Sequence, residues 1–260
     1  MKVKLKVYRF DPARDKAPHF DNFEVEVERT SRVLDCLNKV RWEIDGSLSY
    51  RMSCGQGICG SDGVTINGAS ALACQKLVKD YPDGKEITVE PLRFFPVVKD
   101  LVVDMGPFFE RERSVHPLRG IVLKKVEGGR EHTQSPEERE KFDEDIRCIM
   151  CACCTAACPV NLSEEPEYIG PAAVLKAHRY IFDSRMADIE ERMRIMERPH
   201  GVWSCRHHWR CTAVCPKKIP VTKHILEVKR RNAQELGDHV AQLPEVDKLL
   251  GGFPEYKDNT

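Results

Sequence analysis

CIMCACCTAACP, the stretch from Cys148 to Pro159, decides the fold of the second half of this chain. Its cysteines follow the spacing C-x2-C-x2-C-x3-C-P, and this spacing returns in CRHHWRCTAVCP, from Cys205 to Pro216. In the second copy, His208 stands where one cysteine is missing. Cysteine thiolates are soft, negatively charged ligands, so two such runs indicate a pair of iron–sulfur sites.

The spacing also assigns each thiol, because in two-cluster chains with this run the fourth cysteine ligates the other cluster. The ligands predicted for a [4Fe–4S] cluster are Cys148, Cys151, Cys154 and Cys215. Those predicted for the second cluster are Cys158, Cys205 and Cys211. Three thiolates leave no ligand for a fourth iron, so the second cluster is expected to be [3Fe–4S]. The alternative is a fourth iron held by His208, since imidazole replaces thiolate in some clusters.

A third metal motif lies upstream of these runs. Its candidate ligands are Cys54, Cys59, Asp62 and Cys74. Their spacing is similar to the plant-type [2Fe–2S] pattern, with aspartate in place of one cysteine. We predict that Asp62 completes the site as an oxygen ligand; in the alternative interpretation it only shapes the turn. Of the two remaining cysteines, Cys36 is expected to be buried packing and Cys153 a spare thiol between ligands.

The 12 cysteines would also suit a disulfide framework in a secreted protein. However, the N-terminus alternates charged and apolar residues instead of forming the apolar stretch of a signal peptide. The C-x2-C spacings favour metal over disulfides. The 41 basic and 41 acidic residues balance, so long-range attraction to nucleic acid is not expected. No run of about 18 apolar residues predicts a membrane span.

Periodicity predicts strands in the first hundred residues and helices in the second half. Residues 2–7 and 23–28 alternate charged with apolar side chains, which indicates two strands whose Lys and Glu rows can face each other. A helix is expected over 33–40 with Thr30 or Ser31 at its N-cap, and Asn67-Gly68 indicates a hairpin. Ser135 is expected to cap another helix. Further helices are predicted over 171–184, 186–198 and 221–236.

Beyond the cysteine spacing, the chain resembles the iron–sulfur subunit of succinate dehydrogenase and fumarate reductase over roughly residues 3–235. The stretches that carry this resemblance are Ser53–Asp62, Asp100–Met105, Cys148–Cys154, Tyr168–Ala173, His178–Tyr180, Asp183–Arg185, Gly201–Cys205 and Cys215–Lys217. Some members of that family carry aspartate at the position of Asp62, so its presence here lies within the family pattern.

The resemblance implies an α+β chain in two parts. An N-terminal β-grasp, plant-type ferredoxin domain is expected over residues 1–105, and a C-terminal all-α, bacterial-ferredoxin-like domain over residues 106–260. The implied partners are a flavoprotein subunit carrying covalent FAD, one or more membrane-anchor subunits, and a quinone at the interface. Electrons would pass from FAD through [2Fe–2S], [4Fe–4S] and [3Fe–4S] to the quinone, and no catalytic residue is expected in this chain. The implied location is the cytoplasmic face of the inner (plasma) membrane, as a peripheral subunit held by the anchors.

The residues expected nearest the quinone are Pro159, His207, His208 and Trp209. The chain departs from the family here, because ubiquinone-reducing members carry a tryptophan pair where residues 159–166 contain no tryptophan. The type of quinone and the direction of electron flow are therefore left open. Alternative functions are the iron–sulfur subunit of another flavin-linked dehydrogenase, a self-standing soluble multi-cluster ferredoxin, and a zinc-stapled interaction module, because zinc also binds C-x2-C pairs.

Overall fold

Strands fill the first half of the described chain, and helices fill the second. The computed structural model describes residues 1–115, 123–126, 128 and 130–236. The last part of the expected second domain, residues 237–260, lies outside the described residues. Strands and helices are both present and follow the order that the α+β prediction requires.

The main sheet has five strands. They are β1 (Lys2–Arg9), β2 (His19–Glu26), β3 (Gly63–Ile66), β4 (Ala69–Leu72) and β5 (Glu86–Glu90). Their spatial order is β2-β1-β5-β3-β4, with β1 and β5 parallel and the other neighbours antiparallel. Helix α1 (Val33–Lys39) buries its apolar residues in the same core as the sheet. The long segment between α1 and β3 contains the first cysteine loop.

The two outer strands pair as the charge pattern predicts. In the β1–β2 register, Lys2 lies opposite Glu26 and Lys4 opposite Glu24, while Val3 between them is buried. The diagonal pair Lys2–Glu24 has an Nζ–Oε1 distance of 3.3 Å. Such exposed pairs contribute at most about 1 kcal/mol, so the buried alternate residues hold the strands together and the charges favour the register.

Two predicted local features are confirmed. The β3–β4 hairpin turns at Asn67 and Gly68, whose φ angles of 48° and 83° are both positive, as a two-residue type I′ turn requires. Ser135 caps helix α3 (Pro136–Asp143), since its Oγ accepts a hydrogen bond from the Glu138 N–H at 3.2 Å. The Glu138 carboxylate accepts in return from the Ser135 N–H at 2.9 Å, which completes a capping box.

The predicted start of α1 is wrong. The N-cap is Arg32 rather than Thr30 or Ser31, and the Asp35 carboxylate accepts a hydrogen bond from the Arg32 N–H at 2.7 Å. The Ser31 carbonyl accepts instead from the Val78 N–H at 2.8 Å. Asp35 therefore satisfies the N–H of the N-cap residue itself. The first two helical N–H groups, those of Val33 and Leu34, donate to the Lys76 and Ala73 carbonyls at 2.8 and 3.1 Å, where a hydroxyl cap was expected.

A short hairpin and a helix join the two halves. Strands β6 (Val97–Lys99) and β7 (Val102–Val103) form a second small sheet, and helix α2 (Gly106–Ser114) follows. The sequence pattern did not predict α2, because its surface residues are charged and it buries only Phe108 fully. That phenylalanine belongs to the N-terminal core, which also contains Cys153 and Ala172 from the helical half. The two halves thus pack directly against each other.

The described part of the second half contains five further α-helices. They are α4 (Cys153–Ala156), α5 (Pro171–Ile181), α6 (Ile189–Glu197), α7 (Arg210–Ala213) and α8 (Val221–Leu236). Three of them confirm the predicted helical segments, although α6 begins three residues later than expected, with Asp188 at its N-cap. Within the described ranges, no helix combines the length and apolar character needed to cross a membrane.

A buried carboxylate fixes the far end of β1. Asp100 is 1 % exposed, and its Oδ1 accepts hydrogen bonds from the Arg9 Nε at 3.1 Å and the Phe10 N–H at 3.0 Å. Its Oδ2 accepts from the Ser49 N–H at 2.9 Å. One side chain therefore connects β1, the β6–β7 turn and the segment that leads into the first cysteine loop.

We predict that Asp100→Asn lowers the free energy of unfolding by about 3 kcal/mol, because it leaves part of a buried ion pair and its backbone donors unmatched. This loss of stability is at the low end of the range for broken buried ion pairs, because Arg9 keeps its ionic contacts with Asp21 and Asp45. Denaturant unfolding followed by circular dichroism measures this change. Glu24→Ala, which removes an exposed ion pair, is the control and should cost at most about 1 kcal/mol. Equal effects of the two variants would contradict the prediction.

A second buried network holds the helices around the cysteine runs. The Asp145 carboxylate accepts hydrogen bonds from His178 Nδ1 at 2.6 Å and His224 Nδ1 at 2.5 Å. The outer ring nitrogens of these two histidines reach Glu227 at 3.0 Å and Glu144 at 3.2 Å. The imidazole rings stack with centroids 4.5 Å apart. The backbone carbonyl of Asp145 also accepts a hydrogen bond from the Cys148 N–H at 3.1 Å. The network therefore connects α5 and α8 to the first cysteine run.

The network makes stability depend on pH. Burial alone would lower the pKa of His178, but its hydrogen bonds to Asp145 and Glu227 outweigh burial and raise it. Burial alone would raise the pKa of Asp145, but the two histidines overcome this and lower it. The Asp145 contribution is lost only as pH falls below its ordinary range near 4. The His178 contribution is complete below about pH 6.5 and is lost as pH rises through the raised folded value.

We therefore predict that the stability difference between the wild type and His178→Gln is largest near pH 6 and shrinks as pH rises toward 9. The cause is loss of the imidazolium charge that pairs with the two carboxylates in the folded state. Thermal unfolding midpoints of both proteins across this range measure the difference. His132→Gln, at a half-exposed position, is the matched histidine control. A difference that stays constant or grows with pH would rule out a charged His178.

Candidate metal centres

The first candidate site is a loop wrapped around cysteine sulfur. Backbone N–H groups of Gln56, Ile58 and Cys59 point at Cys54 Sγ at 3.3, 3.4 and 3.3 Å. The Gly57 N–H points at Cys74 Sγ at 3.2 Å, which brings the residue after β4 to the same loop. N–H groups directed at sulfur are the donors that stabilise and tune a bound iron–sulfur cluster.

Asp62 lies inside this site. It is buried, and its Oδ2 accepts a hydrogen bond from the Cys74 N–H at 2.6 Å. Burial, followed by the Asp62 carboxylate, raises the pKa of the Cys74 thiol to about 12. The Ser61 hydroxyl, 3.2 Å from Cys59 Sγ, is the main cause that lowers the pKa of that thiol to about 6. The carboxylate is thus placed beside a candidate thiol ligand, where it can bind iron or accept a hydrogen bond.

The second candidate site is a cavity between the two cysteine runs. Among the residues lining it are all four predicted [4Fe–4S] ligands: Cys148, Cys151, Cys154 and Cys215. Burial raises the pKa of the Cys148 thiol to about 11, so a metal has to displace its proton on binding. Cys153 does not line this cavity, and its buried sulfur lies against Gly63 in the N-terminal core. Cys36 is likewise buried in that core.

The third candidate site is a neighbouring cavity. The three predicted [3Fe–4S] ligands line it together: Cys158, Cys205 and Cys211. Cys211 Sγ lies 3.2 Å from the Thr222 hydroxyl, and burial raises the pKa of its thiol to about 12.

Two short helices divide the thiols between these cavities. Helix α4 is preceded by Ala152 at φ 63° and α7 by Trp209 at φ 61°, so the chain makes the same left-handed step into each. Cys154 in α4 faces the second site, and Cys158 after it faces the third. In the other run Cys211 faces the third site and Cys215 the second. The repeated spacing therefore reflects a local repeat in the backbone.

The first and second sites are in contact. Gly60 adopts a φ of +71°, and a Cβ placed on it would lie 2.8 Å from the Cys151 Cβ and 3.0 Å from the Ile149 carbonyl. A side chain there would both strain the backbone and push the loops apart. Gly60 directly follows Cys59, a candidate ligand of the first site, and lies against Cys151, a candidate ligand of the second. The two sites are therefore neighbours at this glycine.

The predicted quinone-proximal residues also line the third cavity: Pro159, His207, His208 and Trp209. Burial, with smaller effects from nearby cations, lowers the pKa of His207 to about 4, so its imidazole is neutral near pH 7. Lys229 donates to the His207 Nε2 at 3.1 Å and to the Cys205 carbonyl at 2.8 Å. His208 is turned toward the surface, where its Nε2 lies 3.0 Å from the Glu164 carboxylate.

Several residues around the sites were not identified from sequence. Lys229 is one, because only its position on the buried face of α8 brings it to Cys205. Tyr168 is another; it lies within a motif of the resemblance, but no spacing rule shows that its side chain lines the third cavity. Asp145 and His224 are 79 residues apart and meet only in the folded chain, so no local sequence pattern predicts their hydrogen bond.

The donor sets fit iron–sulfur clusters. Each of the two helical cavities gathers buried or half-buried thiols from separate segments, and the first loop adds three more beside one carboxylate. All 12 cysteines lie in the described ranges and all are free thiols, the form that can become thiolate ligands. Soft sulfur donors with nearby N–H groups select iron–sulfur clusters over hard cations such as Mg²⁺ or Ca²⁺.

Comparison with known families agrees with this division of sites. Residues 4–110 match the family described as "2Fe-2S iron-sulfur cluster binding domain". Residues 144–219 match the family described as "4Fe-4S dicluster domain". The chain therefore contains a [2Fe–2S]-binding domain followed by a [4Fe–4S]-type domain, as the cysteine spacing predicted.

Curated relatives and a solved structure extend the likeness over nearly the whole chain. The chain is 38 % identical to the succinate dehydrogenase iron-sulfur subunit of Coxiella burnetii over 231 residues, which cover 88 % of this chain and 96 % of that one. It is 40 % identical to the mitochondrial succinate dehydrogenase (ubiquinone) iron-sulfur subunit 3 of Arabidopsis thaliana over 235 residues, or 89 % and 75 % of the two chains.

A chain of the Mycobacterium smegmatis Sdh1 complex in the apo form superimposes with a TM-score of 0.82 at 26 % identity, covering 92 % of this chain and 98 % of that chain. The fold, the cysteine sites and the sequence relatives thus point the same way. The chain belongs to the family of succinate dehydrogenase iron–sulfur subunits and is an electron-transfer subunit of that oxidoreductase class.

Proposed function

We propose that this chain carries electrons between the FAD of a partner flavoprotein and a quinone held by membrane-anchor subunits, with succinate or fumarate transformed in the flavoprotein. The main support is that the three thiol sites lie in a row. Gly60 packs against Cys151 between the first and second sites, and α4 leads from the second site to the third. When bound, the clusters supply one-electron chemistry at graded potentials.

The proposed ligands follow the cavities. Cys54, Cys59, Cys74 and Asp62 would hold [2Fe–2S]; Cys148, Cys151, Cys154 and Cys215 would hold [4Fe–4S]; Cys158, Cys205 and Cys211 would hold [3Fe–4S]. The finer fold assignment is part of this proposal: a β-grasp domain of the plant-type ferredoxin class, and an all-α domain of the bacterial-ferredoxin class. The boundary between residues 105 and 106, just before α2, remains a prediction.

The two ends of this series differ in surface chemistry. Beside the first site, Ile58 is 60 % exposed and Met52 is 44 % exposed, which supports docking of the flavoprotein there. Beside the third site, Pro159 and Trp209 would flank the quinone. His208 would lie beside the Glu164 carboxylate at the surface, while neutral His207 would accept a hydrogen bond from Lys229. The subunit would then sit peripherally on its anchors at the cytoplasmic face of the membrane.

Redox-titrated electron paramagnetic resonance of the purified complex tests the proposal directly. We expect three distinct signals and about nine iron atoms per chain, the number that these three cluster types contain. Flavin and quinone should copurify with the complex. A zinc-containing, colourless protein, or one with fewer clusters and no three-iron signal after oxidation, would exclude the proposed series. A coloured chain that purifies alone would favour the soluble ferredoxin alternative.

We predict that Asp62→Cys retains a [2Fe–2S] signal with a changed line shape and a changed midpoint potential, because thiolate is a softer ligand than carboxylate. The matched control is Gln56→Cys, which adds a thiol at an exposed position of the same loop and should leave the signal unaltered. The spectra of both variants are compared with that of the wild type. An unaltered signal in Asp62→Cys would show that Asp62 is not a ligand.

We predict that His208→Cys converts the three-iron site to a four-iron site, because it restores the missing position of the cysteine run. The oxidised three-iron signal should disappear and a new reduced four-iron signal should appear. Ala213→Cys, on an exposed face of α7 outside the cavity, is the control and should change neither. A persistent three-iron signal in His208→Cys would contradict the assignment. If His208 itself holds a fourth iron, the wild type lacks this signal and His208→Ala gains it.

A further inference from the structure

One polar group in the third cavity has no partner. The Tyr168 side chain is 0 % exposed, and its hydroxyl makes no hydrogen bond to any described residue. A buried tyrosine hydroxyl normally finds a partner, because leaving it unpaired after its removal from water is unfavourable. An orphaned hydroxyl in a cofactor cavity therefore indicates an acceptor that belongs to the cofactor.

The backbone of Tyr168 is held firmly in place. The Tyr168 N–H donates to the Glu165 carbonyl at 3.0 Å. Its own carbonyl accepts from Arg111 Nη1 at 2.8 Å and from Asn161 Nδ2 at 2.7 Å. Arg111 lies on α2, so the joint between the two halves helps to orient this residue. The backbone is therefore fixed where the buried side chain lines the third cavity.

The groups that surround the hydroxyl are sulfurs. Tyr168 lines the cavity together with Cys158, Cys205 and Cys211. A phenol is protonated near neutral pH, because its ordinary pKa is about 10, so its hydroxyl can donate a hydrogen bond to sulfur.

We propose that the Tyr168 hydroxyl donates a hydrogen bond to sulfur of the cluster held by Cys158, Cys205 and Cys211, either the Cys205 thiolate or a bridging sulfide, and so raises its reduction potential. The inference rests on the proposed assignment of a cluster to this cavity. Tyr168 would act only through the cluster, by tuning its reduction potential, because full burial keeps the side chain away from quinone and from solvent.

The direction of the effect follows from charge. Reduction adds negative charge to the cluster, and a donor hydrogen bond to sulfur stabilises the more negative state. A hydrogen bond to a charged sulfur is strong enough to change the equilibrium constant for reduction about tenfold. A tenfold change in a one-electron couple corresponds to about 59 mV.

The test is Tyr168→Phe in the intact complex, with the midpoint potential of the three-iron signal measured by redox titration. We expect the equilibrium constant for reduction to fall about tenfold, which lowers the midpoint by about 59 mV. The [4Fe–4S] midpoint in the same samples should stay constant. Tyr180→Phe is the matched control, a buried tyrosine that does not line the cavity, and it should leave both midpoints unchanged.

A second variant keeps the proposal testable if Tyr168→Phe loses the cluster. Replacement of Tyr168 by a ring-fluorinated tyrosine preserves size and makes the phenol a stronger donor, so the midpoint should rise.

An unchanged midpoint in the phenylalanine or fluorinated variant, with a normal wild-type signal, would overturn the tyrosine proposal and leave the cluster assignment intact. Absence of any cluster signal from this cavity in the wild type would overturn both.

Discussion

The two cysteine runs must face each other, and the helical half is arranged around this requirement. Neither cavity has its full set of thiols until α4 and α7 are brought together, because each run gives ligands to both. The outer helices secure this pairing. Thr212 on α7 donates to Thr222 on α8 at 3.0 Å, and Asp145 joins the histidines of α5 and α8 directly before the first run. Cluster binding and folding of this half are therefore linked processes.

The junction between the halves follows a different rule. It depends on the absence of side-chain atoms: Gly60 and Gly63 allow the first cysteine loop to lie against Cys151 and Cys153. Phe108 of α2 and Ala172 of α5 extend the same core across the joint. A flexible linker between two independent ferredoxin-like domains would leave the separation of their redox sites variable. Here the packing of a shared core fixes it.

Much of this could be predicted from sequence, because the signals are local. Period-2 alternation identified the strands, Asn67-Gly68 the hairpin and cysteine spacing the groups of thiols, each within a few residues. The features that were missed depend on distant residues. Helix α2 has too few apolar residues to show a periodic pattern, and the N-cap of α1 uses an acid within the helix. The Asp100 and Asp145 networks each join segments that only the fold brings together.

Gly60 also limits how far thermal motion can change the distance between the first and second sites. Electron tunnelling weakens steeply as the gap between donor and acceptor widens, so breathing of a loop near a redox site ordinarily makes the transfer rate fluctuate. The Gly60 backbone already lies against Cys151, with no room even for a methyl group, so the loop cannot move closer, and the shared core opposes movement away. This contact would thus act as a spacer that keeps the electron hop between the first and second sites short.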